Sequence, residues 1–510
     1  MAVYQNPILR GDYSDPDVVR VGEDYYMISS SFTYVPGIPL LHSRDLVHWR
    51  LINYVCRELP FDRYDRPCHN RGTWAPSIRY HDGQFYVYVC LPDEGLFCFK
   101  ARDPYGRWTM FHVKAVSGWI DPCPLWDDDG KAYLLHAFAP SRAGIGNVLY
   151  LHRMSPDGTE ILDRGHMVFD GGDQHRTTEG PKFYKVGDTY YILAPAGGVK
   201  TGWQLAMRAD NPYGPYEVKI VLAQGASPVN GPHQGGWVDT PQGQQWFIHF
   251  QDQGPYGRIT HLQPVLMRDG WPEMGVHPDP DGVGEPVLTY PVPETGQVSP
   301  MDIPTSDEFD SALGLQWQFQ ANVRPTWYDV GERPGWLRLF AARPAQTPTL
   351  FHLGAYLSQL MQYGSFDMTA CVEFEPQQAS DCAGLAMMGY TYRYLAVEKD
   401  CAVLYEGTAV KTDRGDEAVS EREIERIAWA QRRAYLRMQV RDGCRVQFAI
   451  SADGQSWQEM GAPFAAAPGG WTGARPGIFC MNRQGRVSAG YADFDYVRIT
   501  PVKHEIVYPV

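Results

Sequence analysis

Five stretches of this chain repeat one plan, and that repeat limits the possible folds more than any other feature of the sequence. Each has a short polar head carrying Asp, Glu, Trp or His, a proline nearby, a strand, a glycine turn and an aromatic strand. They read SDPDVVRVGEDYYMISS, WAPSIRYHDGQFYVYVC, IDPCPLWDDDGKAYLLHA, TEGPKFYKVGDTYYILAPA and GPHQGGWVDTPQGQQWFIHF. The turn glycines, Gly22, Gly83, Gly130, Gly187 and Gly243, stand 61, 47, 57 and 56 residues apart. Such a unit has room for about four short strands. Tyr86 and Tyr88 alternate with Phe85 and Val87 at the period of a strand, and helical periodicity is nearly absent. Repeated four-stranded units of this size predict a five-bladed β-propeller over residues 1–297.

A Pro-rich passage, YPVPETGQVSPMDIPTSDEFD from Tyr290 to Asp310, breaks the pattern and reads as a linker. Beyond it, alternating segments such as SFDMTACVEFE (Ser365 to Glu375) and RVQFAISADGQSWQEM, with a turn at Asp453-Gly454, predict a β-sandwich over residues 298–510. The chain is therefore expected to be all-β with two domains and no third. Its 13% aromatic residues, 51 Gly and 40 Pro suit strands and turns.

A formal charge of −14, from 59 acids against 45 bases, repels a phosphate backbone, so no nucleic acid partner is expected. The mixed run from Lys411 to Arg426 intersperses Asp and Glu with Arg and reads as solvated surface. No stretch approaches the ~18 apolar residues of a spanning helix, so no membrane partner is expected either. The N-terminus lacks the basic-then-apolar pattern of a signal peptide, which points to a cytoplasmic protein, although a mature form without its leader would look the same. Ten cysteines with no CxxC pair fit buried reduced thiols better than a disulfide framework or a zinc site. Nothing in the sequence sets an oligomeric state.

The chemistry lies in the heads of the repeats. In a propeller the innermost strand of each blade begins near the central channel, so equivalent positions converge. Asp15, Trp74, Asp121, Glu179 and His233 occupy roughly equivalent positions. Three carboxylates, an indole and an imidazole would meet around one axis. Singly, each has a bland reading: DP and EGP form turns in which an acid caps a backbone amide. The shared register weighs against it, because burying like charges together costs stability and is tolerated mainly where function needs it. Two carboxyls across a polar bond are what acid/base glycoside cleavage requires. A third beside the acid raises its pKa by repulsion, and aromatic rings supply flat faces for sugar C–H groups.

The strings NPILRGDYSDPDVVRVGEDYYM, SFTYVPGIPLLHSRDLVHW, TWAPSI, IDPCP and TEGPKFYKVGDTYYI resemble glycoside hydrolase family 43, in the group of β-xylosidases and α-L-arabinofuranosidases. LSQLMQYGSFDMTACVEFE and FAISADGQSW resemble the concanavalin-like, jelly-roll sandwich that often follows such propellers. The resemblance implies an inverting hydrolase in which Asp15 is the general base, Asp121 the pKa modulator and orienting group, and Glu179 the general acid. It places Phe32 and Trp74 around the non-reducing sugar. Arg258, in YGRITHLQP, matches an arginine that hydrogen-bonds sugar hydroxyls, its planar fork suiting a vicinal diol; a surface ion pair is the other reading. His233, in GPHQGG, matches a histidine that helps hold a calcium ion or a water cluster in the channel; a core histidine bonded to backbone is the other reading. The acidic loops Asp279 to Glu285 and Asp127-Asp128-Asp129 lack a full ligand set and read as turns.

The resulting expectation is an exo-acting hydrolase releasing terminal xylose, as a β-1,4-xylosidase, and/or arabinofuranose from xylo-oligosaccharides and arabinoxylo-oligosaccharides. An α-L-arabinofuranosidase proper and a non-catalytic glycan-binding propeller are the alternatives. A lectin has no reason to keep Asp15, Asp121 and Glu179 together. The sandwich is expected to support the site, lending a loop that narrows its mouth, rather than to act as a separate carbohydrate-binding module.

Overall fold

In every repeat a glycine in the left-handed region closes the first hairpin: φ is 65° at Gly22, 71° at Gly83, 78° at Gly130, 58° at Gly187 and 86° at Gly243. The strands either side then pair, and the computed structural model, which describes residues 2–412 and 415–502 and their side chains outside 411–419, shows five four-stranded antiparallel sheets. Their innermost strands are Asp17–Val21, Trp74–His81, Trp119–Trp126, Lys182–Val186 and His233–Asp239, heading blades I to V.

The period-2 pattern of the second strand in each blade explains how the blades stack. In blade I, Tyr25 and Met27 pack against Trp246 and Ile248 of blade V, while Tyr26 and Ile28 pack against Phe85 and Val87 of blade II. In blade II the alternate residues, Tyr86 and Tyr88, face Trp119 and Leu134 of blade III. Two further apolar layers join blades III to IV and IV to V. Each fully buried aromatic or aliphatic side chain contributes roughly 1.5–3 kcal/mol, so the ring is held by its five inter-blade layers rather than by a single central core. The buried Asp17 ties blade I to blade II through Oδ2, which accepts from the Ile78 N–H at 2.9 Å and from Arg79 at 2.8 Å. The ring closes where Val3–Gln5 pairs with Thr289–Pro291 and Leu9 bridges to Thr260 of blade V.

The second domain is a sandwich of two seven-stranded antiparallel sheets around one core. The Pro-rich passage between the domains is fastened along blade I: the Asp302 N–H donates to Trp49 O at 3.1 Å, and Tyr290 pairs with Tyr4. Its prolines remove donors but leave carbonyls and apolar rings to dock. The domains are also knitted together directly. Val35 and Phe319 exchange both backbone bonds, at 2.9 and 2.7 Å, His69 stacks on Phe351 at 3.9 Å, and Asn322 bonds both backbone groups of Leu59. Of the mixed-charge run, the side chains up to residue 419 lie outside the described residues; further on, Arg422 pairs with Glu406 and Arg426 with Glu423. All ten cysteines are free, and among the described residues no helix is long and apolar enough to cross a membrane.

Candidate active site

One residue at the head of each blade adopts a left-handed backbone: Asp15 (φ 54°), Ala75 (37°), Asp121 (56°), Gly180 (57°) and Gln234 (38°). In blades I to IV it is followed by proline, Pro16, Pro76, Pro122 and Pro181, and in blade V by Gly235. This five-fold equivalence corrects the expected register. Asp15 and Asp121 share the position, but Trp74, Glu179 and His233 each precede it by one residue. Non-glycine residues held at positive φ carry strain that concentrates at functional sites, and here the head turns carry it.

Asp15, Ala75, Asp121, Glu179 and Gln234 line one cavity of about 80 Å³ with Phe32, Trp74, Ile120, Arg258 and Trp471. Since a buried water needs ≳ 10–15 Å³ by the same measure, this space suits one sugar ring rather than a length of chain. Of the larger clefts, one of 500 Å³ beside Trp108 is lined by Glu58, Asp62 and Asp65, all solvent-exposed, and one of 380 Å³ at the opposite channel mouth carries only Asp239 among carboxylates.

Three donors fix Asp15. Oδ2 accepts from Ser30 at 2.6 Å and Ser14 at 3.1 Å, and Oδ1 accepts from Arg258 at 3.0 Å. Asp121 Oδ2 accepts the Gly180 N–H at 2.7 Å, which locks it to the turn carrying Glu179. Burial pushes the Asp121 carboxyl well above the usual carboxylate range, and the charges of Glu179 and Asp15 push it further. Asp121 therefore sits between the other two acids electrostatically as well as in space. Glu179 differs in exposure: its side chain is 31% accessible against 7% for Asp15, so one carboxyl lies deep in the cavity and the other reaches its open side.

Aromatic faces surround these groups. Phe32 meets Trp74 edge-on at 6.3 Å, and Trp74 meets Trp471 at 6.3 Å. The Arg258 guanidinium lies over Phe250 at 4.8 Å and Trp471 at 5.8 Å, so it is a buried pocket residue rather than a surface ion pair. Trp471 belongs to the sandwich. Its loop is pinned by the Gly473 N–H donating to Asp12 Oδ2 at 2.9 Å, with Asp12 Oδ1 accepting the Arg258 N–H at 2.8 Å, and by Ala474 N–H bonding Pro255 O at 2.7 Å.

His233 is fully buried, with Nε2 3.3 Å from Glu179 Oε1 and Nδ1 without a hydrogen-bond partner. No group of three His, Cys, Asp or Glu side chains suited to a metal occurs among the described residues. A lone imidazole does not fit a calcium ion, which takes six to eight oxygen ligands. The two acidic loops are occupied locally: Asp127 binds Lys185 and Tyr190, and Asp279 caps its own turn.

All of Asp15, Phe32, Trp74, Asp121, Glu179 and Arg258 thus meet in one pocket, and His233 stands behind Glu179. Sequence reasoning missed Ser30, Gln234 and Trp471. The X-Pro step shared by blades I to IV could have located the first-blade geometry, but not Gln234, which is followed by Gly235. Trp471 carries no local signal, because it enters from another domain.

The model of "Glycosyl hydrolases family 43" matches residues 4–272, and that of the "Beta xylosidase C-terminal Concanavalin A-like domain" matches 306–500. A putative β-xylosidase of Xylanibacter ruminicola is 40% identical over 93% of this chain and 85% of its own length. A non-reducing end α-L-arabinofuranosidase of Bacteroides ovatus is 34% identical over 75% of this chain and 73% of its own. Among solved structures, the GH43 BlXynB protein of Bacillus licheniformis superposes with a TM-score of 0.82 at 26% identity, covering 98% of this chain and all of that one.

Proposed function

Because this chain belongs to glycosyl hydrolase family 43, we propose that it is an inverting, exo-acting glycosidase that removes terminal xylose, and secondarily arabinofuranose, from xylo- and arabinoxylo-oligosaccharides. The observation that carries this reading is the pairing of a deep, three-donor carboxylate, Asp15, with a more exposed one, Glu179, in a cavity of single-ring size. Asp15 takes a proton from a water that attacks the anomeric carbon, and Glu179 gives its proton to the departing glycosidic oxygen. The C–O bond to the leaving group breaks as the new one forms, and the next water restores both protonation states. Asp121 holds the Glu179 turn through the Gly180 N–H. Arg258 orients Asp15 and offers its remaining N–H groups to sugar hydroxyls.

The relatives are named for both pentoses, and xylopyranose and arabinofuranose present similar hydroxyl arrays, so the order of preference is settled by products. On nitrophenyl β-xyloside, nitrophenyl α-L-arabinofuranoside and a xylo-oligosaccharide ladder, we expect xylose released one unit at a time, with a slower arabinofuranosidase activity. A mixture of internal fragments from the ladder would contradict exo action.

A further inference from the structure

Blade V places a glutamine where blades I and III place carboxylates. Gln234 shares with Asp15 and Asp121 the left-handed head position, at φ 38°, and lines the same cavity. The backbone around it is shaped to hold the side chain there. A Cβ on Gly180, the equivalent residue of blade IV, would come within 2.5 Å of Gln234 Cδ. A Cβ on Gly235 would lie 1.7 Å from Ile248 O, so the residue after Gln234 is held to glycine. Gln234 is only 3% exposed, and its Nε2 has neither solvent contact nor a hydrogen-bond partner in the protein. A buried amide donor without a partner is costly, and orphaned groups of this kind mark places where something outside the chain completes the bond. A fourth acid here would crowd a cluster in which burial and two neighbouring acids already push the Asp121 pKa upward. An amide offers a donor and an acceptor with no charge.

We propose that Gln234 is a sugar-binding residue of this pocket, its side-chain amide hydrogen-bonding one hydroxyl of the terminal pentose and so fixing the ring between Asp15 and Glu179. The inference rests on the exo-pentosidase reading and extends it to a residue that sets which sugar is held.

The test is a double cycle of side chain against hydroxyl. Wild type and Gln234→Met are compared on nitrophenyl β-xyloside and on its 2-, 3- and 4-deoxy analogues. Methionine keeps the length of the side chain and removes the hydrogen bond. On the parent glycoside kcat/KM should fall about ten- to hundredfold. On one deoxy analogue the two proteins should be nearly equal, because the hydroxyl that Gln234 serves is absent, while the other two analogues keep the full loss. An equal loss on all four substrates overturns the proposal, since a merely structural role adds uniformly. If the methionine variant does not fold, Gln234→Leu, which also removes the hydrogen bond, is run through the same cycle with the same two outcomes. If wild type cleaves only the arabinofuranoside, the deoxy-arabinofuranosides replace the xylosides. A wild-type enzyme inert on both parent glycosides would instead contradict the exo-pentosidase reading itself.

Discussion

Replacing Asp15 by alanine lowers kcat by about 10²–10⁴ on xylobiose and by as much on an aryl xyloside, because no leaving group removes the need to activate water. Glu179→Ala loses a similar factor on xylobiose but is partly spared on nitrophenyl xyloside, whose leaving group departs without a proton. Steady-state kinetics on the two substrates separate the roles, and equal losses for Glu179→Ala on both would reverse the assignment. Asp121→Asn has a different signature. Asp121 is an acid whose folded pKa lies above its ordinary value of 3.8, so its ionisation opposes folding at higher pH. The asparagine variant should therefore be less active yet more stable at neutral pH. That gain is absent below pH 3.8 and grows as pH rises through the folded value.

A chain ending near residue 300 should be insoluble or inactive. Cutting there removes Phe319 from Val35, Phe351 from His69 and Gly473 from the buried Asp12. Asp12 is buried, and burial already raises its pKa against the help of two backbone donors; the cut removes one of those donors, Gly473, together with the loop that covers the acid. The same cut removes the Trp471 ring from the pocket. Trp471→Ala in the full chain isolates that last contribution: losing one aromatic contact of ~0.5–1.5 kcal/mol should raise KM roughly three- to tenfold with the fold intact. Full exo activity from the truncated propeller, with the free sandwich retarded on xylan gels, would show that the sandwich acts as a separate binding module.

Much of this was legible because propellers write their architecture locally. The turn glycines Gly22 to Gly243 and the alternation of Tyr25, Met27 and Tyr26, Ile28 both follow from near-neighbour rules, and so the blades could be counted. The carboxyls Asp15, Asp121 and Glu179 were legible for the same reason, since each lies beside a proline step. The roughly equivalent heads differ by one residue in blades II, IV and V, where Trp74, Glu179 and His233 precede the strained backbone position that Asp15 and Asp121 occupy. Aligning on the residue before Pro16, Pro76, Pro122 and Pro181 places Ala75 and Gly180 in line with Asp15 and Asp121, whereas Gln234, followed by Gly235, joins them only through its backbone φ of 38°. Long-range contacts had no such signal. The Ser30 bond to Asp15 spans a hairpin, and the Trp471 loop crosses from one domain to the other. The Pro-rich passage read as a linker from composition, yet it binds blade I through backbone groups that composition does not reveal.

The central claim is that Asp15 and Glu179 act from opposite faces of one sugar in a single displacement, which requires their carboxyls to stand about 6.5–9.5 Å apart with water between. Proton NMR of the first sugar released from a β-xyloside, recorded before mutarotation, tests this directly. The account predicts the α-anomer. The β-anomer, or a trapped glycosyl-enzyme, would contradict it.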